Sequence, residues 1–503
     1  MSVSEEIRKV KRPKNTIVSD SGNNSLYRYA VRERKRSVYK AGKNPSPRNG
    51  AIIGHIINGA YVPVIKKTES SIPTTLSFGS SCLIYSLCKD ILDDLLKVFE
   101  PKYCSSILVI AAIKIMRPRA VTSRYPRYYE SSYLSKYFPG TCLSKNYVKS
   151  LCDYLGKNGD KRIEFYNHRV DAVAADHNIL IDGTLKEDNS VVNDLSNYSR
   201  KARIKGTEDI SVIYAYDTDT NEPLCAKVFP GNEIDAVAYR SFIKENNITK
   251  GIIIADKGFP VSQITNQIDK NKALHYISPL KRGSSLIAKY DMYSYTGKLT
   301  GFEETILYKK VTINENKYLY SFMSQSKSKY DDEFYKKKRD EFGTIVFESD
   351  IDLPPEKVYK DYKERWTIEL VFRQYKTDLE LNTTRKENDY TVIGSEFINF
   401  IATLISCRIL AKAVSLNLLD DESFGNLIED LNEVWRKADA PEKAEIHDEY
   451  FEHALRKDLE TLLKLGLIED NTIKRPRGRP RTKPIENKPK RPRGRPKKQT
   501  IVQ

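Results

Sequence analysis

The stretch Tyr362–Lys376 combines residue types that suit chemistry on a phosphodiester. It contains neither Gly nor Pro and is rich in good helix formers, so the sequence predicts one continuous helix. At about 100° per residue, four polar side chains project within an arc of about 60°: Tyr362, Arg365, Glu369 and Lys376. A carboxylate between two cations on one face can hold a metal ion while the cations bind phosphates.

The spacing of these four residues resembles a known signature. Tyr362-x2-Arg365-x3-Glu369-x6-Lys376 is similar to the Tyr-Arg-Glu-Lys signature of one large branch of DDE transposases, those of prokaryotic insertion sequences of the fourth family. In that family the Glu is the third catalytic carboxylate, and two aspartates precede it, each at the end of a core strand. The resemblance covers about residues 176–410.

Two upstream segments resemble the motifs that carry these aspartates: Ile179–Thr184 the first, and Gly251–Phe259 the second. The resemblance therefore implies that Asp182, Asp256 and Glu369 are catalytic and bind metal. The implied cofactor is Mg²⁺, with Mn²⁺ able to substitute, because hard cations prefer oxygen ligands. Two such cations, about 3.5 to 4 Å apart, activate the nucleophile and stabilise the leaving oxygen. Asp182 would bridge both.

The resemblance also implies residues that contact DNA. Tyr362, Arg365 and Lys376 would lie against the DNA end near the cleaved bond, and Lys257 is a further candidate. Each motif taken alone has an ordinary structural explanation. An Asp after a strand is often a turn or N-cap residue, and a helix face of Arg, Glu and Lys is often a solvated network of ion pairs. Three motifs in the family's order favour the functional interpretation.

Members of this family can use an aromatic side chain of their inserted domain, often Trp, to hold a displaced base. The tryptophans of this chain are Trp366 and Trp435. A Tyr or Phe could substitute in this role.

A second acidic motif, Asp217-x-Asp219-x-Asn221, begins like a calcium-binding loop. Glu222 stands where such a loop requires Gly, and Val228 stands where it requires the closing Glu. The sequence therefore predicts a hairpin turn here.

Strands and helices in a particular order must position the aspartates. Apolar runs predict strands, with one helix before the last strand: Ile179–Asp182, Ile210–Tyr216, Leu224–Phe229, helix Asp235–Asn246 and Ile252–Ala255. This is the order of an RNase H-like fold, in which the first strand lies beside the fourth. Asp182 and Asp256 would then lie together at one end of the sheet.

The predicted fold class is α/β, an RNase H-like catalytic core with a β-rich insertion, flanked by helical amino- and carboxyl-terminal regions. The amino-terminal part is predicted to be a basic arm at 1–70, loosely ordered up to about residue 50, with a solvated terminus and a DNA-contacting arm as the alternatives. The other predicted parts are a helical domain that is a candidate for binding DNA ends at 71–175, core at 176–260, insertion at 261–343, core with the catalytic helix at 344–410, helices at 411–470 and a disordered basic tail at 471–503. Thr344–Phe347 is the predicted fifth core strand.

Composition limits the cellular locations and the kinds of binding site that we expect for this protein. The chain has 503 residues and a net charge of +17, and its seven cysteines include no Cys-x-x-Cys pair. A disulfide framework and a zinc site are therefore not indicated. The longest apolar runs are too short for a membrane span, and no signal peptide is evident. We expect a cytoplasmic, nucleoid-associated protein, prokaryotic by the resemblance.

The tail carries much of the positive charge, with 13 Lys and Arg against one Glu between Lys474 and Lys498. The sequence Lys-Arg-Pro-Arg-Gly-Arg-Pro occurs at 474–480 and again at 490–496, and both copies resemble AT-hooks. Glycine permits close approach to a narrow A·T-rich minor groove, with arginines along its floor. The residues concerned are Arg477, Gly478, Arg479, Arg493, Gly494 and Arg495. A generic basic tail is the alternative.

These features predict a DNA transposase that cleaves at the ends of its element and joins the 3′-hydroxyl to target DNA. Its partners would be double-stranded DNA, both element ends and target, and a second copy of the chain on that DNA. One alternative is an inactive or domesticated relative that binds A·T-rich DNA. Another is an RNase H-like nuclease without strand transfer.

Overall fold

The computed structural model describes most of the chain between residues 3 and 470. The described residues are 3–20, 22, 28–40, 43–57, 59–63, 73–188, 190, 192–199, 202, 206–233, 235–256, 268, 270–328 and 342–470. Lys257 and the tail positions from Arg477 to Arg495 lie outside them. The predictions for those residues therefore stay predictions.

Helices dominate both flanks of a central group of strands. In chain order the helices are α1 (Glu5–Lys9), α2 (Gly79–Leu87), α3 (Lys89–Val98), α4 (Pro101–Met116), α5 (Tyr125–Glu130), α6 (Leu134–Tyr137), α7 (Lys145–Lys157), α8 (Gly159–Val170), α9 (Asp235–Glu245), α10 (Ser285–Lys289), α11 (Pro355–Glu364), α12 (Thr367–Arg373), α13 (Asp389–Ser415), α14 (Phe424–Asn432) and α15 (Arg456–Lys464). A 3-10 turn covers Thr122–Arg124 and a π-helical turn covers Gln374–Asp378.

The strands, in chain order, are β1 (Thr16–Asp20), β2 (Tyr29–Lys40), β3 (Lys43–Ile57), β4 (Ala60–Pro63), β5 (Thr75–Ser77), β6 (Asn178–Asp188), β7 (Asn197–Tyr198), β8 (Glu208–Asp217), β9 (Glu222–Pro230), β10 (Lys250–Ile254), β11 (Ala273–Pro279), β12 (Gly297–Lys298), β13 (Ile306–Asn314), β14 (Lys317–Ser324), β15 (Thr344–Ser349), β16 (Thr383–Thr384), β17 (Trp435–Lys437) and β18 (Phe451–His453). β5, β17 and β18 form a small sheet in the order β18-β17-β5.

The first four strands form an antiparallel sheet of their own, in the order β1-β2-β3-β4. β2 and β3 pair from Tyr29 opposite Ile56 to Lys40 opposite Lys43. Val31 and Ile56 are buried, which gives these charged strands a small apolar face. The structure corrects the prediction of a loosely ordered arm. The high charge of this segment obscures the short apolar alternation that forms the sheet.

The largest sheet contains the core of the fold. Its order is β12-β13-β14-β15-β11-β10-β6-β8-β7, and β9 also pairs with β8. β6, β10 and β11 are parallel, β8 is antiparallel to β6, and β9 is antiparallel to β8. Numbered by their appearance in the chain, the five strands β6, β8, β9, β10 and β11 lie in the order 3-2-1-4-5, with α9 before the fourth. This is an RNase H-like core, and the predicted α/β class is confirmed.

The fifth core strand is not the predicted one. Ala273–Pro279, predicted to belong to the insertion, is β11 and lies parallel to β10. Thr344–Phe347, the predicted fifth strand, belongs to β15, which is antiparallel to both β11 and β14. Both segments are short apolar runs, and such a run does not reveal its partner. The inserted strands therefore extend the core sheet.

Helix α13 connects the helical flank to the core. By length and composition it could cross a membrane, but 72% of its most apolar window is buried inside the protein, as expected for a core helix. It packs closely on α7: a Cβ added to Gly394 would lie 1.9 Å from the carbonyl oxygen of Cys152. Only glycine permits this approach, so the helices are held against each other along their backbones.

Candidate active site

Two parallel strands bring Asp182 beside Asp256. Leu180 of β6 lies opposite Ile254 of β10, and each aspartate follows two residues later in its own chain segment. The preceding residues of both strands are buried, so the middle of the sheet fixes both backbones. Residues 74 positions apart in the sequence therefore come together as the strand pattern predicts.

Asp182 is largely buried, and two groups hold its carboxylate. Its Oδ1 accepts hydrogen bonds from the backbone N–H of Gly183 at 2.8 Å and from the hydroxyl of Tyr239 at 3.3 Å. Burial raises the pKa of Asp182, and the carboxylate of Asp256 raises that pKa further, while these hydrogen bonds and Arg365 oppose the increase. The ionised form of Asp182 is therefore costly, and a nearby cation would stabilise it.

The signature segment is not the single helix that the sequence predicts. α11 ends at Glu364, α12 runs from Thr367 to Arg373, and the π-helical turn follows. Arg365 lies in the interruption between the two helices. Residues with high helix propensity continue through both irregularities, so propensity alone does not reveal them. A projection at constant angle fails here because the turns differ in residues per turn.

Arg365 joins the carboxylates across the site. Its guanidinium lies 3.5 Å from Oδ1 of Asp256 and 3.9 Å from Oε1 of Glu369. It also lies 5.6 Å from the ring centroid of Tyr362, whose ring packs against Phe347 at 4.5 Å. The Asp256 and Glu369 side chains are 51% and 63% exposed, so they are open to a bound substrate.

Lys376 lies apart from these residues. It belongs to the π-helical turn. Burial and the Glu187 carboxylate raise the pKa of Asp209, and Lys376 opposes that increase. Asp209 pairs with Glu187, whereas Asp182 pairs with Tyr214, five positions away along the same two strands. The structure thus brings Tyr362, Arg365 and Glu369 together with both aspartates and leaves Lys376 at the other end of β6.

The donor set fits a divalent cation. Asp182, Asp256 and Glu369 offer only carboxylate oxygens, the ligands that hard cations prefer. Together with the guanidinium of Arg365, these residues keep an excess of negative charge. The oxygens are spaced more widely than in a compact cluster: within the described residues, the group with ligand atoms within 4.8 Å of one another is His177, Asp217 and Asp219.

That second group has its own structural explanation. His177 Nδ1 lies 2.8 Å from Asp217 Oδ2, Asp217 Oδ1 accepts from the N–H of Asp219, and Asp219 accepts from the N–H of Asn178. These bonds fasten the turn between β8 and β9 to the start of β6. The predicted hairpin turn at this motif is confirmed, since Asp217 pairs with Glu222 across it.

A cavity of about 790 Å³ lies beside Arg365, between the inserted strands and α11. Cations and aromatic rings line much of it: Arg282, Lys327, Lys363, Tyr359, Tyr362 and Trp366. Trp366 is 55% exposed. The sequence motifs give Trp366 no role, although it directly follows Arg365 of the signature.

Glu304 anchors the insertion to α11 at this cavity, and sequence reasoning missed it. Its Oε1 accepts from Nζ of Lys363 at 2.8 Å and from the hydroxyl of Tyr359 at 3.2 Å. The hydrogen bond from Lys363 is the main cause that lowers the pKa of Glu304 to about 2. The carboxylate therefore stays ionised, and no motif in the sequence points to it.

The part of the chain that contains the site matches a known protein family. Residues 179–393 match the family described as the transposase DDE domain, and Asp182, Asp256 and Glu369 all lie within that range. No curated protein matches the chain. Two solved structures have weak likenesses, both at 10% identity. The piggyBac transposase in a synaptic complex with hairpin DNA has a TM-score of 0.39, with 73% of this chain and 81% of that chain covered. The Mos1 transposase in a paired-end complex with the left transposon end has a TM-score of 0.14, with 55% and 78% covered. The region from 179 to 393 thus matches a transposase DDE domain and has an RNase H-like strand order.

Proposed function

We propose that this protein is a DNA transposase of the insertion-sequence branch with the Tyr-Arg-Glu-Lys signature. It cleaves phosphodiesters at the ends of its element and joins the 3′-hydroxyl ends to target DNA. The observation that carries the proposal is the convergence of Asp182 and Asp256 on parallel strands, with Arg365 between Asp256 and Glu369. The match of residues 179–393 to the transposase DDE domain supports the same function.

Asp182, Asp256 and Glu369 would hold Mg²⁺, or Mn²⁺ in its place. Divalent cations bound there supply an activated oxygen nucleophile and a stabilised leaving oxygen. The chain's own groups prepare the site. Gly183 and Tyr239 fix the orientation of the Asp182 carboxylate, and the Arg365 guanidinium neutralises part of the charge of Asp256 and Glu369. Arg365 can turn from these carboxylates to a DNA phosphate, because both kinds of oxygen accept its forked N–H groups.

The DNA end would lie over the cavity beside Arg365. Its cations suit the phosphates and its aromatic rings suit an unstacked base. Trp366 is the exposed ring nearest to Arg365 in the sequence, so we assign the base-holding role to it. Lys257, Lys376 and the AT-hook-like tail would provide further contacts with duplex DNA. We infer a homodimer on DNA and a nucleoid location in the cytoplasm.

A strand-transfer assay tests this function. The purified full-length chain is mixed with a duplex carrying the terminal sequence of its element, a target plasmid and Mg²⁺. We expect cleavage at the element end and covalent joining of the labelled 3′ end to the plasmid, both lost in Asp182→Asn. Cleavage without joining would instead identify a nuclease. Binding without metal-dependent cleavage would identify an inactive DNA-binding relative.

A further inference from the structure

A buried polar cluster lies on the same sheet as the site, beyond Asp182. We propose that this cluster, Lys186, Tyr375 and Glu396, is a positioning device that fixes Glu369 relative to Asp182. The inference rests on the proposed function, because it concerns the same carboxylates. We call these three residues the Lys186 cluster.

The three side chains are bonded to one another inside the protein. Lys186 Nζ donates to the hydroxyl of Tyr375 at 3.0 Å and to Oε1 of Glu396 at 2.7 Å. The hydroxyl of Tyr375 donates to the other carboxylate oxygen, Oε2, at 2.5 Å. Lys186, Tyr375 and Glu396 are 2%, 0% and 4% exposed. Burial raises the pKa of Tyr375 well above its ordinary value, so its hydroxyl keeps the proton that it donates.

Stability alone does not account for this cluster. Removing two charges from water costs about as much as their attraction returns, and apolar replacements of similar volume often match or exceed a buried ion pair. What the cluster adds is a fixed geometry among three elements. Lys186 belongs to β6, Tyr375 to the π-helical turn and Glu396 to α13.

The same two elements carry the cluster and the catalytic carboxylates. Asp182 and Lys186 are four residues apart on β6, so they lie on the same strand face, about 13 Å apart along the strand. Glu369 and Tyr375 belong to one helical run, six residues apart. β6 and the helical run are therefore bonded to each other at the Lys186 cluster. The carboxylates of Asp182 and Glu369 lie farther along the same strand and the same helical run.

The π-helical turn makes such a joint necessary. π-helical turns are rare, and an irregular turn persists where its surroundings hold it. Here the N–H of Leu379 donates to the carbonyl of Gln374 at 2.9 Å, and Nε2 of Gln374 donates to Ser406 at 2.6 Å. Two consecutive side chains of the turn, Gln374 and Tyr375, are thus bonded to α13. α12 is only seven residues long and has an irregular turn at each end. The residues that hold those turns therefore fix the rotation of α12 about its axis, and with it the direction in which Glu369 points.

Tyr375→Phe tests the inference, because it removes one hydroxyl and keeps the ring. Binding of Mn²⁺ to the DNA-free protein is measured by electron paramagnetic resonance, and the part lost in Asp182→Asn defines the active site. Tyr375 acts on Glu369 through the helical run, without a bond to any of the three carboxylates. We expect Tyr375→Phe to weaken this binding about ten-fold, because a site whose supporting residues are loosened loses its ligand geometry. The matched control is Tyr166→Phe, since Tyr166 is also buried and packs on Phe397 and Phe400 of α13. It should bind Mn²⁺ like the wild type.

A second variant guards against misfolding. Lys186→Met, Tyr375→Phe and Glu396→Leu together replace the cluster by apolar side chains and remove both members of its buried ion pair. We expect this triple variant to unfold near the wild-type temperature and to bind Mn²⁺ as weakly as Tyr375→Phe. Wild-type affinity in both variants would overturn the inference and leave the proposed function intact. A wild-type protein without Asp182-dependent Mn²⁺ binding would instead overturn the proposed function.

Discussion

The candidate active site and the Lys186 cluster lie on the same face of β6 but differ in their charges: those of the first are partly exposed and unbalanced, and those of the second are buried and paired. At the active site, Asp256 and Glu369 are half exposed, and the carboxylates outnumber the guanidinium that contacts them. In the Lys186 cluster, Lys186 and Glu396 are buried and paired. The difference indicates a division of roles: the open group keeps negative charge available for a ligand, and the closed group holds the elements that carry it.

The largest effect is expected from the open group. Asp182→Asn, Asp256→Asn and Glu369→Gln should each lower the cleavage rate more than about a hundred-fold, because each removes an oxygen that we propose as a ligand of the divalent cation in phosphoryl transfer. Affinity for the DNA end should change little. Single-turnover cleavage in Mg²⁺, with binding measured in parallel, checks this. A variant with near-normal cleavage would remove that carboxylate from the site.

In the Lys186 cluster, removal of one charge should lower the free energy of unfolding. Lys186→Met alone leaves the Glu396 carboxylate buried without its cation, which should cost about 3 to 5 kcal/mol of the free energy of unfolding. The triple apolar variant should recover most of that loss. Urea denaturation of the three proteins gives the comparison. Equal stability of Lys186→Met and the wild type would show that Glu396 is not held as a charge.

Arg365 and Lys376 distinguish the two ends of β6. Arg365→Ala removes the cation beside Asp256 and Glu369, so we expect Mn²⁺ to bind about five-fold more tightly to the DNA-free protein. Cleavage should fall at least about ten-fold, since we propose that the same guanidinium binds a DNA phosphate. Lys376→Ala is the matched control, because Lys376 acts electrostatically on Asp209, which pairs with Glu187 at the other end of β6. The same rise in Mn²⁺ affinity in both variants would contradict the conclusion that Lys376 lies apart from the three carboxylates.

The smallest effect concerns pH. Burial raises the pKa of Asp182 above its ordinary 3.8, so between that value and the raised pKa the native state binds more protons than the unfolded state. The free energy of unfolding therefore falls as pH rises through this window. Asp182→Asn should be more stable than the wild type at neutral pH without metal, and the difference should vanish below about pH 3.8. Thermal unfolding in chelator across this range measures it; a constant difference would refute it.

The sequence correctly predicts the first four core strands and the meeting of Asp182 and Asp256, and the reason is physical. The apolar runs before Asp182 and Asp256 are long enough to identify buried strands, and parallel pairing then brings their ends together. The choice between Ala273–Pro279 and Thr344–Ser349 as the fifth strand depends on which run pairs with β10. Both runs are short and contain a few apolar residues, so either could be a core strand. Tertiary pairing decides such cases, so the pattern alone fails.

The signature segment illustrates a second limit. Its helix-forming residues predict one helix, yet Arg365 lies in an interruption and Lys376 in a π-helical turn. Bonds to distant residues, such as Tyr375 to Glu396, hold the irregular turn. Neither partner carries a local sequence signal, so the turn and the displacement of Lys376 are visible only in the folded chain.

Anomalous scattering from a Mn²⁺-soaked crystal of the protein with an element-end duplex tests the central claim most directly. We predict Mn²⁺ within coordination distance of carboxylate oxygens of Asp182, Asp256 and Glu369, with Arg365 turned toward a phosphate. Mn²⁺ bound instead at His177, Asp217 and Asp219, with the three carboxylates unliganded, would contradict it.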